Sequence, residues 1–154
     1  MAQRPQDVAH GIIQASLYMV LATADATGRP WSSPVYFANA GYTRFYWVSS
    51  PGATHSRNIA MRPDVGIAIF DSTAPISTGQ GVYLRARAAE VSGDELDQAV
   101  DVFSRRSLAH GGVAWVTADV QGDAGVRLYQ ALVDEHWILA QDGRPDHRLP
   151  VQLT

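Results

Sequence analysis

Residues 19–58 read MVLATADATGRPWSSPVYFANAGYTRFYWVSSPGATHSRN, and this stretch decides the fold. Three strand-like runs, about 17–24, 29–38 and 43–50, are separated by Asp25-Ala26-Thr27-Gly28 and Asn39-Ala40-Gly41. Both separators have the small, polar and glycine character of hairpin turns. Thr43–Ser50 is dominated by β-branched and aromatic residues, which fit a pleated surface. An antiparallel meander is the simplest path. Pro30 and Pro34 lie inside the second run, and proline cannot donate to a ladder, so these positions face an edge, a bulge or a ligand. After Pro51-Gly52 the chain enters Thr54-His55-Ser56-Arg57-Asn58, where Thr54 can cap a helix over about 55–61 that Arg62-Pro63 ends. A strand end, hydroxyls and a helix N-terminus together suit a phosphate-bearing ligand. They suit an ordinary capped helix with exposed polar residues as well.

Upstream, Pro5 at a first helical position, with Val8, Ala9, Ile12 and Ile13 on one side, predicts a short amphipathic helix over 5–15. Downstream, Val65–Asp71 is a short apolar strand covered on both faces, and 72–79 is a loop. Gln80–Val91 is a longer strand, with Val82, Leu84, Ala86 and Ala88 on one face and Tyr83, Arg85 and Arg87 on the other, as in a barrel wall. Ser92-Gly93-Asp94-Glu95 reads as a capping box opening a helix over about 94–110, with Leu96, Ala99, Val100 and Phe103 facing the core and His110-Gly111-Gly112 ending it. Val126–Ala140 is a final long strand, and Asp142-Gly143 turns it into the tail HRLPVQL. The expectation is five or six strands, one clear helix and two small ones. That count argues for an antiparallel barrel and against alternating β–α units.

Composition narrows the chemistry. The 154 residues suit a single domain over 1–154; 46% are hydrophobic and 18% charged, and the formal net charge is -3. With no basic stripe, nucleic acid and anionic membrane are not expected partners. No apolar run approaches the ~20 residues that span a bilayer, and the N-terminus shows no secretory pattern, so a cytoplasmic location is expected. Cysteine is absent, which removes disulfides, thiolate metal sites and a cysteine nucleophile. All twelve basic residues are arginine, so neither a lysine Schiff base nor a P-loop can form. The five histidines show no ligand spacing, and no metal site is expected. No G-x-S-x-G or G-x-G-x-x-G motif is present.

Four segments in order, LATADATGRPWSSPVYFA, FYWVSS, THSRNIAMRPDVGIAIF and QGVYLRARAAEV, resemble the pyridoxamine 5′-phosphate oxidase-like, flavin-binding split-barrel superfamily. The resemblance covers residues 15–110 well and the C-terminal segment more loosely. It implies a mainly β split barrel with FMN at the interface of a homodimer. Ser33, Pro34, Val35, Tyr36 and Phe37 would lie along the isoalloxazine ring through their backbone. Val48, Ser49 and Ser50 would approach the ribityl phosphate. Thr54 and His55, with Arg57 and Asn58 beside them, fall at the phosphate pair, and Gln80-Gly81 at the flavin edge. Several anchors depart from the family: His55 replaces a lysine, Ser33 an arginine and Gly81 a glutamine. HRLPV, with Arg148, only loosely matches the substrate-binding tail. These departures argue against a true pyridoxamine phosphate oxidase and for another oxidoreductase of the superfamily.

Tyr36 and Trp47 are either core aromatics or an apolar floor for a ring or substrate. Arg85 and Arg87 read as solvated or interface residues, and Trp115 and Trp137 as core or interface anchors. No catalytic acid or base is assigned. The expected activity is FMN-dependent hydride transfer to or from a small organic molecule. The alternatives are a 5-deazaflavin coenzyme in the same fold, or a non-catalytic flavin or haem binder.

Overall fold

Period-two alternation shapes the wall of this protein. In the strand Gly81–Glu90, Val82, Leu84, Ala86 and Ala88 are buried while Arg85 and Arg87 are exposed and Tyr83 half-buried, as the sequence pattern requires. The computed structural model describes residues 2–154. Its elements are α1 Pro5–Ala15, β1 Tyr18–Ala24, β2 Pro30–Tyr36, β3 Ala38–Ala40, β4 Arg44–Ser49, α2 Thr54–Met61, β5 Asp64–Phe70, β6 Gly81–Glu90, α3 Leu96–Ala109, β7 Arg127–Leu139 and β8 Arg148–Val151. Short 3-10 turns occupy Gly93–Glu95 and Thr117–Val120. All strand pairs are antiparallel, in the order β2-β1-β5-β6-β7-β4-β3 with β8 against β7. The fold is the expected mainly β split barrel.

The described residues form eight strands, more than the five or six expected. Asn39-Ala40 is not a turn but part of β3, which pairs with β4, and the turn falls later at Gly41, where φ is +60°. The HRLPV tail becomes β8. Two caps also differ. Ala53, not Thr54, is the residue before α2, and no side chain caps that helix. Ser92 makes no cap hydrogen bond either; a 3-10 turn precedes α3, which begins at Leu96.

Inside the barrel lies one apolar cluster that includes Met19, Leu21, Phe37, Phe45, Trp47, Ile67, Leu84 and Tyr129. Ala9 and Ile13 of α1 and Ile59 of α2 belong to it. A second cluster lies outside the barrel, where α3 lays Leu96, Ala99, Val100 and Phe103 against Ala38, Tyr46 and Leu128. Burying each such side chain contributes roughly 1.5–3 kcal/mol. Arg106 of α3 fastens these layers together. Its guanidinium donates to Asn39 Oδ1 at 2.7 Å and to the carbonyls of Ser16 at 2.8 Å and Ile13 at 3.3 Å, and it lies over the Phe37 ring.

The split itself follows from register. β3 and β4 pair Ala38 with Tyr46, Asn39 with Phe45 and Ala40 with Arg44. Carried one strand further, that register would set Tyr36 opposite Val48 and Pro34 opposite Ser50. The chain instead turns at Phe37, and β2 pairs with β1 from Tyr36↔Tyr18 to Pro30↔Ala24. A slot therefore opens between β2 and the second half of β4.

Candidate functional site

Two backbone edges face this slot. β2 is a terminal strand with β1 as its one partner, and Trp47, Val48 and Ser49 pair only with β7. Their remaining N–H and C=O groups have no strand partner among the described residues. Free main-chain groups are what a heteroaromatic ring needs for recognition through its edge. Pro34 sits on β2 without cost, since an end strand owes no second ladder.

The mouth of the slot is polar. Ser49 Oγ lies 2.7 Å from His55 Nε2. α2 begins at Thr54 with no side-chain cap, so the amides of its first turn are free for an anion. Burial holds His55 below the ordinary imidazole range. It meets the mouth as a neutral hydrogen-bonding group, and the helix end supplies the positive potential.

The expected residues do not all converge here. Ser33, Pro34, Tyr36, Val48, Ser49, Ser50, Thr54 and His55 lie along the slot or at its mouth. Val35 and Phe37 offer only backbone, because their side chains are in the barrel core. Trp47 is wholly buried and stacks on Tyr129 at 5.9 Å, so it is a core aromatic and not a substrate floor. Arg57 stands two residues past His55, about 200° around the helix. It lines a separate cleft with Pro51, Ser56, Pro63 and Glu90. Asn58 is buried and donates to Thr23 Oγ1 at 3.0 Å, tying α2 to β1. Gln80 is spent within the barrel: its amide bonds the Leu139 carbonyl at 2.9 Å and the Leu139 N–H at 2.8 Å. Gly81 has a packing reason, since a Cβ there would meet the Tyr83 hydroxyl at 3.1 Å. Trp115 packs edge-on against Phe103.

Arg148 lies elsewhere, on the outer face of the sheet, over the Tyr83 ring at 4.1 Å. Arg85 covers Trp137 on the same face at 5.2 Å. With Val20, Ala22, Ser32, Gly66 and Ala68 they bound a shallow cleft of about 660 Å³ that no element among the described residues covers.

One pair went unread in the sequence. Tyr36 Oη lies 2.9 Å from His110 Nδ1, at the end of α3. His110-Gly111-Gly112 reads as a helix terminator, and a contact across 74 positions has no local signal. Burial raises Tyr36, while burial and the charge of Arg106 lower His110.

The slot thus lies in a split antiparallel barrel, with an open strand edge beside an uncapped helix. The sequence matches the family described as Pyridoxamine 5'-phosphate oxidase over residues 6–137, and the chain belongs to that family. No curated protein matches it. Among solved structures it is similar to HutZ, the heme storage protein of Vibrio cholerae, at 24% identity and a TM-score of 0.68, covering 86% of this chain and 92% of that one. It is similar to a heme binding protein from Mycobacterium smegmatis at 21% identity and a TM-score of 0.73, covering 97% of this chain but 59% of that one. An F420 reductase shares the fold at 16% identity and a TM-score of 0.61, covering 83% of this chain and 94% of that one.

Proposed function

We propose that the protein is an FMN-dependent oxidoreductase that works as a homodimer, with the cofactor in the slot between β2 and β4. The observation that carries this reading is the pair of unpartnered strand edges ending on Ser49, His55 and the uncapped start of α2. The edges suit the hydrogen-bonding rim of an isoalloxazine, and the mouth suits a single phosphate. When bound, the flavin supplies hydride chemistry at N5. The chain supplies placement, donors to the ring edge and exclusion of water. The uncovered sheet face carries Val20, Ala22, Ala68 and Trp137. It is the surface a second subunit would cover, closing the slot from outside.

Pyridoxamine phosphate is not the substrate in this reading, since His55, Ser33 and Gly81 stand where the family's phosphate oxidases carry lysine, arginine and glutamine. The F420 reductase neighbour keeps a deazaflavin coenzyme in view, but Arg62 is engaged with the Ala26 carbonyl at 3.0 Å, and Arg57 faces another cleft. The heme-binding neighbours suggest a haem store. Here His55, His110, His136 and His147 each hydrogen-bond within the chain, and His10 stacks on Tyr42.

Titration of the purified protein with FMN, F420 and hemin, followed by absorbance, separates the three. The expected result is a yellow protein that binds FMN stoichiometrically and more tightly than F420. A colourless protein that takes up no added FMN, or a Soret band at equimolar hemin, overturns the reading.

A further inference from the structure

Arg57 lines a cleft of about 520 Å³ between α2 and the end of β6. Ser56, Ile59 and Ala60 border it from one face of the helix, spaced i, i+3 and i+4. Ser56 is only 3% exposed, yet its hydroxyl has no hydrogen-bond partner among the described residues. An exposed serine bonds water, whereas a buried hydroxyl left unpaired is uncommon and marks a place where a partner is wanting.

The opposite wall is an unfinished sheet edge. Val91 N–H donates to the Leu128 carbonyl at 2.8 Å, so Glu90, one residue back, turns its main-chain N–H and C=O away from β7. On that side β5 begins only at Asp64. Ala88 N–H donates to the Pro63 carbonyl at 2.8 Å, and proline has no N–H to return. The residues before that turn belong to α2, so no strand reaches Glu90. Its N–H and C=O have no main-chain partner among the described residues.

Two charges flank this edge. Arg57 and Glu90 are exposed and both line the cleft, and neither enters an ion pair or a side-chain hydrogen bond among the described residues. A lone anion there would meet Glu90, and a lone cation would meet Arg57. A molecule bearing both charges finds a partner for each. We propose that this cleft binds a free α-amino acid with an apolar side chain, independently of any flavin. The amino acid stands as the residue that β5 lacks opposite Glu90. Its ammonium donates to the main-chain carbonyl and the carboxylate of Glu90. Its own carboxylate accepts from the Glu90 N–H and the Arg57 guanidinium, and gives the Ser56 hydroxyl an acceptor. An ammonium and a carboxylate on one carbon reproduce the N–H and C=O of a single strand residue, which exchanges both bonds with the residue opposite. The side chain lies against Pro51, Ala60 and Tyr129.

The test uses L-phenylalanine and L-leucine as probes on the full chain without cofactor. 3-Phenylpropionate and phenethylamine are the controls, each lacking one of the two charges. Backbone NMR titration reads the site, and calorimetry reads the affinity. L-Phenylalanine or L-leucine should bind with a Kd of about 1 mM or tighter and shift the amide signals of Ser56, Arg57 and Glu90. Each control should bind at least about tenfold more weakly than L-phenylalanine. Arg57→Gln and Glu90→Gln change exposed side chains, and each should weaken amino-acid binding about tenfold. Ser56→Ala should weaken it too, while the melting temperature of the free protein stays level or rises, because the variant loses an unpaired buried hydroxyl. No shift at these residues with either amino acid, controls that bind as well as L-phenylalanine, or an Arg57→Gln variant with wild-type affinity overturns the proposal. None of these readouts depends on FMN, so failure of the flavin reading leaves them unchanged.

Discussion

Two side chains show how burial decides a role. Trp47 is wholly buried, stacked on Tyr129, and its indole N–H has no hydrogen-bond partner among the described residues. An unpartnered buried donor costs about 1–3 kcal/mol. Trp47→Phe gives up ring volume but also removes that donor, so it should cost under ~1.5 kcal/mol, whereas Trp47→Ala should cost about 3–5 kcal/mol. Urea denaturation distinguishes them, and equal losses for both variants would mean the indole nitrogen has a partner. His55 carries the second expectation. Its folded pKa lies below its unfolded value, so the unfolded chain binds the extra proton first as pH falls. The stability tied to neutral His55 is complete above the ordinary imidazole range near 6.5 and is lost as pH drops through that range toward the lowered value. His55→Gln should therefore flatten the pH dependence of the urea midpoint between 7 and 5. It should also weaken FMN binding about tenfold, the loss of one hydrogen bond to a charged group. A variant as acid-sensitive as wild type would remove His55 from the account.

Elements show where one arginine replaces a run of packing. Arg106 joins α3 to the carbonyls that end α1 and to Asn39 of β3, with Phe37 beneath its plane. Only a planar fork satisfies three acceptors while lying on a ring. Arg106→Lys should then be nearly as destabilising as Arg106→Met, by about 3 kcal/mol, since each hydrogen bond to a charged group contributes ~1.5–3 kcal/mol. Thermal melts of both variants check this. The same element marks the limit of sequence reading. The stripe Leu96, Ala99, Val100 and Phe103 was legible because a helix repeats locally, and so was β6, whose arginines alternate with small apolar residues. Arg106 and His110 were not. Their partners lie 67 and 74 positions away, and nothing local separates them from surface polar residues. β3 was hidden for another reason: Asn39-Ala40-Gly41 has turn composition, but pairing with β4 overrides propensity for three residues. The resemblance implies a place at the flavin edge for Gln80-Gly81. β7 instead captures its amide, because a side chain beside an unpaired main-chain N–H and C=O satisfies both.

At the scale of the molecule, one face of the sheet remains to be explained. α3 covers the outer side of β4 and β3, whereas the outer side of β1, β5, β6 and the second half of β7 is bare. Ala22, Ala68 and Gly66 there are small, and the cleft they floor is bounded by Trp137, Tyr83 and two arginines that cover the aromatic rings. Small residues on a flat sheet let a second surface approach closely, and stacked arginines and aromatics are typical interface anchors. A two-fold axis through this face would double every contact, because each patch meets its own copy. It would also double every fault. Ala22→Glu together with Ala68→Glu places four carboxylates in one dimer interface, and desolvating like charges there is strongly unfavourable. Neither position is in the core, so the far-UV spectrum and melting curve of the monomer should persist. Sedimentation should show wild type as a dimer and the double variant as a monomer. FMN should bind the monomer at least about tenfold more weakly, because the slot then lies open to water. A double variant that stays dimeric moves the interface to another face. One that turns monomeric yet keeps its FMN affinity means the slot between β2 and β4 is complete within a single chain.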